Sequence, residues 1–274
     1  MLHRSANVAA ERVIYNDRTP LESIVAGSDA LVSVIPSFYV AEQRRFIQAA
    51  IDARIQRLIA IEPGYNERYC PSGPLRYAVA ERSMQVWLEE VAGAAGMVYT
   101  LIYTGICLDP GEQDASLIDI QNKYVCIYGD GDTMFGASVT SHIAQAIATA
   151  LDKPEETGNR CLRIRSLILN QNTLVRLVEA CIGEQGWSRD AVTMEQLIET
   201  FFDPIGRVNH LINTQEGVSK FTLICSNYGG AFGWCFDNEL LGIVALDPPN
   251  VEGIMRPYIR YLVGPGFRMF PMTS

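Results

Sequence analysis

Histidine and cysteine are the side chains best suited to ligate a metal or pass a proton near neutral pH, and here their spacing points away from a metal centre. His3, His142 and His210 are the only histidines in 274 residues, far apart and with no H-E-x-x-H pattern. Cys70, Cys107, Cys126, Cys161, Cys181, Cys225 and Cys235 form an odd set without C-x-x-C spacing. No metal is therefore expected, and scattered thiols fit a reducing, cytoplasmic compartment. Acid–base work falls to isolated groups: His142, or a carboxylate or phenol held beside aromatics, where loss of water tunes its pKa toward neutrality.

The partner to expect is a small molecule or a protein. Against 22 Lys and Arg stand 31 Asp and Glu, a formal charge of -9, with no long basic run, so the field of the chain opposes nucleic acid. Hydrophobic residues make up 48% and charged ones 19%, an ordinary composition for a chain with ample core material. No stretch reaches the roughly 18 uncharged apolar residues of a membrane span, so no membrane partner is expected. Arg4, Glu11 and Arg12 interrupt the opening residues, and a secretory signal is not expected.

The elements that must position any site are organised around Asp29 to Glu62. Ala30 to Ile35 is almost wholly apolar without helical period, which suits a strand buried on both faces of a parallel sheet. From about Tyr39 to Arg54, Phe46, Ile47, Ala50 and Ile51 share one helical face, with Glu42, Arg44, Arg45 and Asp52 elsewhere. Arg57 to Ile61 is a second apolar run. Strand, helix and strand make a βαβ crossover, the brick of a doubly wound sheet.

Upstream, Met1 to Ser5 and Val13 to Asn16 read as strand pieces, and Thr19-Pro-Leu-Glu22 as a capping box opening a short helix that Gly27 ends. Downstream come a helix from about Leu75 to Ala95, a strand Val98 to Tyr103, a strand Tyr124 to Tyr128, a Gly129-Asp-Gly131 turn and a helix Ser138 to Leu151. A second part starts near 157: a strand Cys161 to Arg165, a helix capped by Asn170 to about Ile182, and a capping box Thr193-Met-Glu-Gln196 opening a helix to Phe202. Beyond Pro204 a further helix is expected, then an aromatic and glycine-rich run, Phe221 to Phe236, read as packing. The expected architecture is α/β, with a Rossmann-like doubly wound parallel sheet over 1–156 and a smaller C-terminal substrate domain over 157–274.

Several segments in this order carry a resemblance: S-D-A-L-V-S-V-I (Ser28 to Ile35), A-A-I-D-A-R-I-Q-R-L-I-A (Ala49 to Ala60), Y-T-L-I-Y-T-G (Tyr99 to Gly105), Y-G-D-G-D-T (Tyr128 to Thr133), D-K-P-E-E-T-G-N-R (Asp152 to Arg160) and L-N-Q-N-T-L-V-R-L-V-E (Leu169 to Glu179). Over nearly its whole length the chain resembles the NmrA-like and isoflavone-reductase-like branch of the atypical short-chain dehydrogenases, its fungal members above all. That resemblance implies NADPH as cofactor and the reduction of flavonoid, lignan or fungal secondary-metabolite skeletons. It assigns Arg4 and Ser5 to the 2′-phosphate, where a guanidinium fork suits a phosphate dianion. It also assigns Asp17 to the adenine side, Val34, Ile35, Pro36 and Glu62 to the dinucleotide groove, and Tyr65, Tyr103 and Gly105 to the substrate.

Two departures from the family pattern bear on chemistry. The sequence opens where the family's second strand stands and holds no G-x-x-G-x-x-G turn, the device that binds pyrophosphate at a helix N-terminus. In the order 3-2-1-4-5-6 the first strand is central, and leaving its neighbours' backbone groups unpaired at roughly 1 to 3 kcal/mol each would rival a domain's whole stability. A truncated start, a rearranged 1–28, or a homodimer or partner chain completing the sheet would each answer this. The family's catalytic lysine, counted back from Thr100, falls on Glu81, with Arg82 beside it and Tyr77 four residues earlier, and the family's Asp-Ile pair after G-D-G becomes His142-Ile143. Glu81, Tyr77 and His142 are thus the candidate acid–base groups, with Tyr103 beside them. Three functions compete: an NADPH-dependent reductase of a fungal secondary-metabolite pathway, a cofactor-free isomerase or cyclase on the same scaffold, and a noncatalytic regulator that binds a dinucleotide or a basic protein.

Overall fold

The apolar runs at Ala30 and Arg57 become neighbouring parallel strands in the computed structural model, which describes residues 21–35, 40–63, 84–108, 117–201, 220, 223–224, 236–247, 250, 252–253 and 255–257. In chain order the elements are α1 (Leu21–Val25), β1 (Ala30–Ser33), α2 (Val40–Asp52), β2 (Arg57–Pro63), α3 (Met84–Ala95), β3 (Val98–Cys107) and β4 (Tyr124–Tyr128). They continue as β5 (Phe135–Ser138), α4 (Thr140–Asp152), α5 (Pro154–Thr157), β6 (Arg160–Arg163), β7 (Leu167–Leu169), α6 (Gln171–Ile182), β8 (Ser188–Val192) and α7 (Met194–Phe201).

β1, β2, β3 and β6 lie side by side and parallel, in that order. Burial on both faces explains why β2 and β3 read as long apolar runs, whereas β1 is buried on alternate residues only and β6, Arg-Cys-Leu-Arg, does not read as one. Leu58, Ala60, Tyr99 and Leu101 point into the layer of α2 and α3, where Ile47, Ala50, Leu88 and Ala92 meet them. Ile59, Ile61, Ile102 and Leu162 point the other way, onto Ala146 and Ala150 of α4 and onto Leu241 and Ile243. Leu58, Ile59, Leu88, Leu101, Ile102 and Leu162 are wholly buried, and each such side chain contributes about 1.5–3 kcal/mol over exposure. Among the described residues, no strand lies on the outer side of β1.

β3 is long because it serves two layers. Over Val98 to Gly105 it pairs with β2; beyond that, Ile106 and Cys107 pair with Ala137 and Ser138 of β5, which in turn runs antiparallel to β7. Gly105 sits at the change of direction with φ +64, a conformation that a Cβ would strain, and the register of β2 slips at Glu62 and Pro63 opposite it. β4 and β8 form a separate parallel pair, Tyr124 opposite Ser188 through Tyr128 opposite Val192.

The amino end of the sheet is closed by a feature that no local pattern announces. Arg57, only 9% exposed, donates from Nη2 to Thr100 Oγ1 (2.7 Å), Ala150 O (2.8 Å) and Thr157 Oγ1 (3.1 Å), and from Nη1 to Leu58 O and Val98 O. One guanidinium thereby joins β2, β3, the last turn of α4 and α5, and a cation at a helix C-terminus also complements the helix dipole. Burial pushes its pKa below the ordinary arginine value. Among the described residues, no helix is long and apolar enough to cross a membrane.

Candidate functional site

In an open parallel sheet, ligands bind beyond the carboxyl ends of the strands, where side chains from successive βα connections converge. That end is built here from the last residues of β1, β2 and β3. Val34 follows β1 and is 63% exposed, an apolar surface at the lip of the sheet, with half-buried Ile35 next to it. Glu62, on β2, is in register with Tyr103 on β3, so the two share a face; they are 8% and 4% exposed, a carboxylate and a phenol both withdrawn from water. Gly105 lies two residues further along, at the bend.

A hydroxyl-lined wall continues this end toward α4. Ser138, fully buried, donates to Thr104 O at 2.7 Å, and its own carbonyl accepts from Leu108 N–H, so the second layer is fastened to the turn at Gly105. Val139, the N-cap residue of α4, has no side-chain acceptor of its own. Ser166, also fully buried, accepts its N–H at 2.9 Å. The same hydroxyl lies 2.9 Å from His142 Nδ1, with the donor set by the tautomer of the ring. His142 is thereby fixed in the first turn of α4, and its partner is a serine that reaches over from the β6–β7 connection.

Of the residues expected from the sequence, Val34, Ile35, Glu62, Tyr103 and Gly105 are brought to one end of one sheet, and His142 stands at the start of the helix beside it. Arg4, Ser5, Asp17, Pro36, Tyr65, Tyr77 and Glu81 lie outside the described residues, as do the two strand pieces expected before Asn16 and the helix expected beyond Pro204. The reading from sequence missed Ser138, Thr104 and Ser166. Ser166 is 24 residues from His142, and nothing in its own neighbourhood marks it as a helix-capping group.

Away from this end, Tyr124 donates to Asp190 Oδ2 at 3.0 Å across the β4–β8 pair, and that bond to a carboxylate pushes the phenol up to about 12. Cys126, next along β4, is pushed up by burial. A raised thiol pKa makes it a poor nucleophile. Among the described residues, no three of His, Cys, Asp and Glu gather as a metal site.

The described part of the carboxyl end fits a nicotinamide nucleotide in one respect: an exposed apolar residue, Val34, offers a surface for a planar ring.

Comparison with known proteins agrees with this geometry. No protein-family model matches the chain. It is 28% identical over 184 residues, 66% of its length, to the oxidoreductase poxI of Penicillium oxalicum, and spans 58% of the length of that relative. In three dimensions it resembles leucoanthocyanidin reductase of Vitis vinifera in its binary complex with NADPH, with a TM-score of 0.61 and 17% identity over 90% of this chain and 84% of that one. It also resembles the NADPH-dependent quinone oxidoreductase QOR2 of Escherichia coli complexed with NADPH, with a TM-score of 0.59 and 14% identity over 89% of this chain and 82% of that one. The chain has the Rossmann-like fold of the isoflavone-reductase-like, NmrA-like proteins, as its sequence segments led one to expect.

Proposed function

We propose that this protein is an NADPH-dependent reductase of a small organic molecule. One observation carries the reading: β1, β2 and β3 run parallel and in register, so that Val34, Ile35, Glu62, Tyr103 and Gly105 lie toward the carboxyl end of the sheet, the end at which an open parallel sheet takes a ligand. Solved proteins of this fold in complex with NADPH support it.

When bound, the nicotinamide supplies a hydride to an electron-poor carbon of an enone, imine or quinone-like substrate. Val34 and Ile35 would hold the dinucleotide against the end of β1, and Gly105, at the bend of β3, would shape the substrate side of the cleft. Glu62 and Tyr103, both buried, would keep bulk water from the reacting end. The proton that must follow the hydride comes, in this reading, from Glu81, Tyr77 or His142, with Ser166 holding the His142 ring in place. Arg4 and Ser5 take the 2′-phosphate and Asp17 the adenine side. The substrate class proposed is a fungal secondary metabolite with a conjugated carbonyl, a polyketide, alkaloid or phenolic skeleton; a similar protein named as an oxidoreductase comes from a fungus, Penicillium oxalicum.

The test follows NADPH absorbance at 340 nm with a panel of small quinones, enones and cyclic imines. Protein-dependent oxidation of NADPH by at least one class, abolished when the protein is heat-denatured, is expected. Absence of NADPH binding, together with absence of turnover across the panel, would refute the reading.

A further inference from the structure

A hollow of about 570 Å³ opens where the chain around Phe236 to Ala245 runs along the outer edge of β6; Arg165, Phe236, Asn238, Glu239, Ile243 and Val244 line it. The segment is anchored to β6 in strand-like fashion. Asp237 N–H donates to Arg163 O at 2.8 Å, and Arg163 N–H donates to Asp237 Oδ2 at 2.9 Å. Two residues on, Arg165 N–H donates to Asn238 Oδ1 (3.1 Å), while Asn238 Nδ2 donates to Arg165 O (2.7 Å). The backbone of Arg165 is therefore held from both sides by one amide, whatever its side chain does.

That side chain is differently placed. The guanidinium carbon lies 4.4 Å from the centroid of the Phe236 ring, and no hydrogen bond or ion pair joins the guanidinium to any described residue. Half-buried, it has its pKa pushed down from the ordinary arginine value by loss of water, yet it stays protonated at neutral pH. Arg57, also shifted down by burial, spends its Nη donors on five protein acceptors. The Arg165 guanidinium spends none on the described residues.

We propose that this hollow binds a small monoanionic aromatic acid, its carboxylate gripped by the Arg165 fork and its ring laid on the apolar wall. The guanidinium presents parallel N–H donors that match a carboxylate, and stacking on Phe236 restricts the orientations it can take. The wall beyond the charge is apolar: Ile243 is buried, and Val244 is 78% exposed, surface that an aromatic body would cover and a bare inorganic anion would leave in water. Exposed Glu239 on the rim opposes multiply charged ligands and so favours a single negative charge. The volume falls within the range of small-molecule sites, roughly 300–1,000 Å³. The inference goes beyond the reductase reading and does not need it, since it rests on β6 and the 236–245 segment alone.

The test titrates 2-naphthoate into the full chain by calorimetry without any nicotinamide nucleotide, so its outcome is separate from whether NADPH binds. Saturable binding is expected, with 2-naphthamide and inorganic phosphate each weaker by about tenfold or more. Arg165→Gln should weaken naphthoate by about tenfold, and Arg165→Lys, which keeps the charge without the fork, by about fivefold. Equal affinity for the acid and the amide, unchanged affinity in Arg165→Gln, or no saturation by naphthoate would each overturn the proposal. Should Arg165→Gln fail to fold, Arg165→Lys and the acid-to-amide comparison decide the matter.

Discussion

Replacing Arg57 by methionine removes a buried cation of similar length from the amino end of the sheet, and the structure permits its cost to be worked out. Three hydrogen bonds from Nη2 are lost, to Thr100 Oγ1, Ala150 O and Thr157 Oγ1, along with the two longer ones from Nη1. At about 1 kcal/mol net for a typical bond, the three from Nη2 amount to about 3 kcal/mol, and more if each is counted as a bond to a charged donor. Two effects pull the figure down. Methionine carries no charge to desolvate, and two of the three abandoned acceptors stay in the network: Thr157 Oγ1 still donates to Lys153 O and Thr100 Oγ1 still donates to Thr157 O, while Ala150 O keeps only a share of the Thr157 hydroxyl proton. The expected loss is therefore about 2–3 kcal/mol, below the 3–5 kcal/mol of a broken buried ion pair. Urea unfolding followed by far-UV circular dichroism should show a lower midpoint at unchanged slope, and a thermal melt a fall of about 4–12 °C. NADPH affinity should not change, because the arginine lies at the opposite end of the strands from Val34, Glu62 and Tyr103. A change below about 0.5 kcal/mol, or a gain in stability, would show that desolvation of the guanidinium outweighs its bonds and would refute the reasoning.

Further expectations concern the β4–β8 pair, the start of α4 and the turn after β4. Tyr124 is pushed up to about 12 by its bond to Asp190, so its protonated form is favoured by folding. That contribution is fully present below the unfolded value near pH 10 and is lost as pH rises through about 12; absorbance at 295 nm should show a late-titrating phenol that moves down in Asp190→Asn. Ser166→Ala removes the acceptor of Val139 N–H and a partner of His142, and should cost about 1–2 kcal/mol in urea unfolding; a cost near zero would mean that water replaces the hydroxyl without loss. Gly131→Ala should destabilise by more than about 1 kcal/mol, because φ there is +77 and a Cβ would stand 2.6 Å from Asn172 Oδ1. Wild-type stability in that variant would mean that the turn relaxes freely.

β2 and β3 were readable because burial on both faces leaves a continuous apolar run, β1 because its apolar residues precede a helix in a βαβ pattern, and the parallel pairing over 30–33, 57–63 and 98–105 follows from that pattern. Capping chemistry was equally readable. Asn170 Oδ1 accepts from Thr173 N–H as an N-cap should, and Thr193 and Gln196 exchange both bonds of a capping box ahead of α7. β5 and β8 were not readable, for opposite reasons. Phe135-Gly-Ala-Ser138 is buried throughout but too short and too small to show a period, whereas Ser188 to Val192 is mostly exposed and polar, made a strand only by backbone bonds to β4. Likewise Arg57 read as an ordinary charge at the start of a strand, since its partners lie up to 100 residues away. At the carboxyl end, strand ends and family resemblance located Val34, Ile35, Glu62, Tyr103 and Gly105, while the serines that hold α4 in place have no local signature.

The measurement that bears most directly on the whole account is calorimetric titration of NADPH into the full chain, with Val34→Asp as its partner experiment. If the carboxyl ends of β1, β2 and β3 form the dinucleotide groove, NADPH binds saturably, and a carboxylate placed at the exposed lip of β1 weakens it by about tenfold or more while the protein stays folded. No binding at millimolar NADPH, or binding that Val34→Asp leaves unchanged, would contradict it.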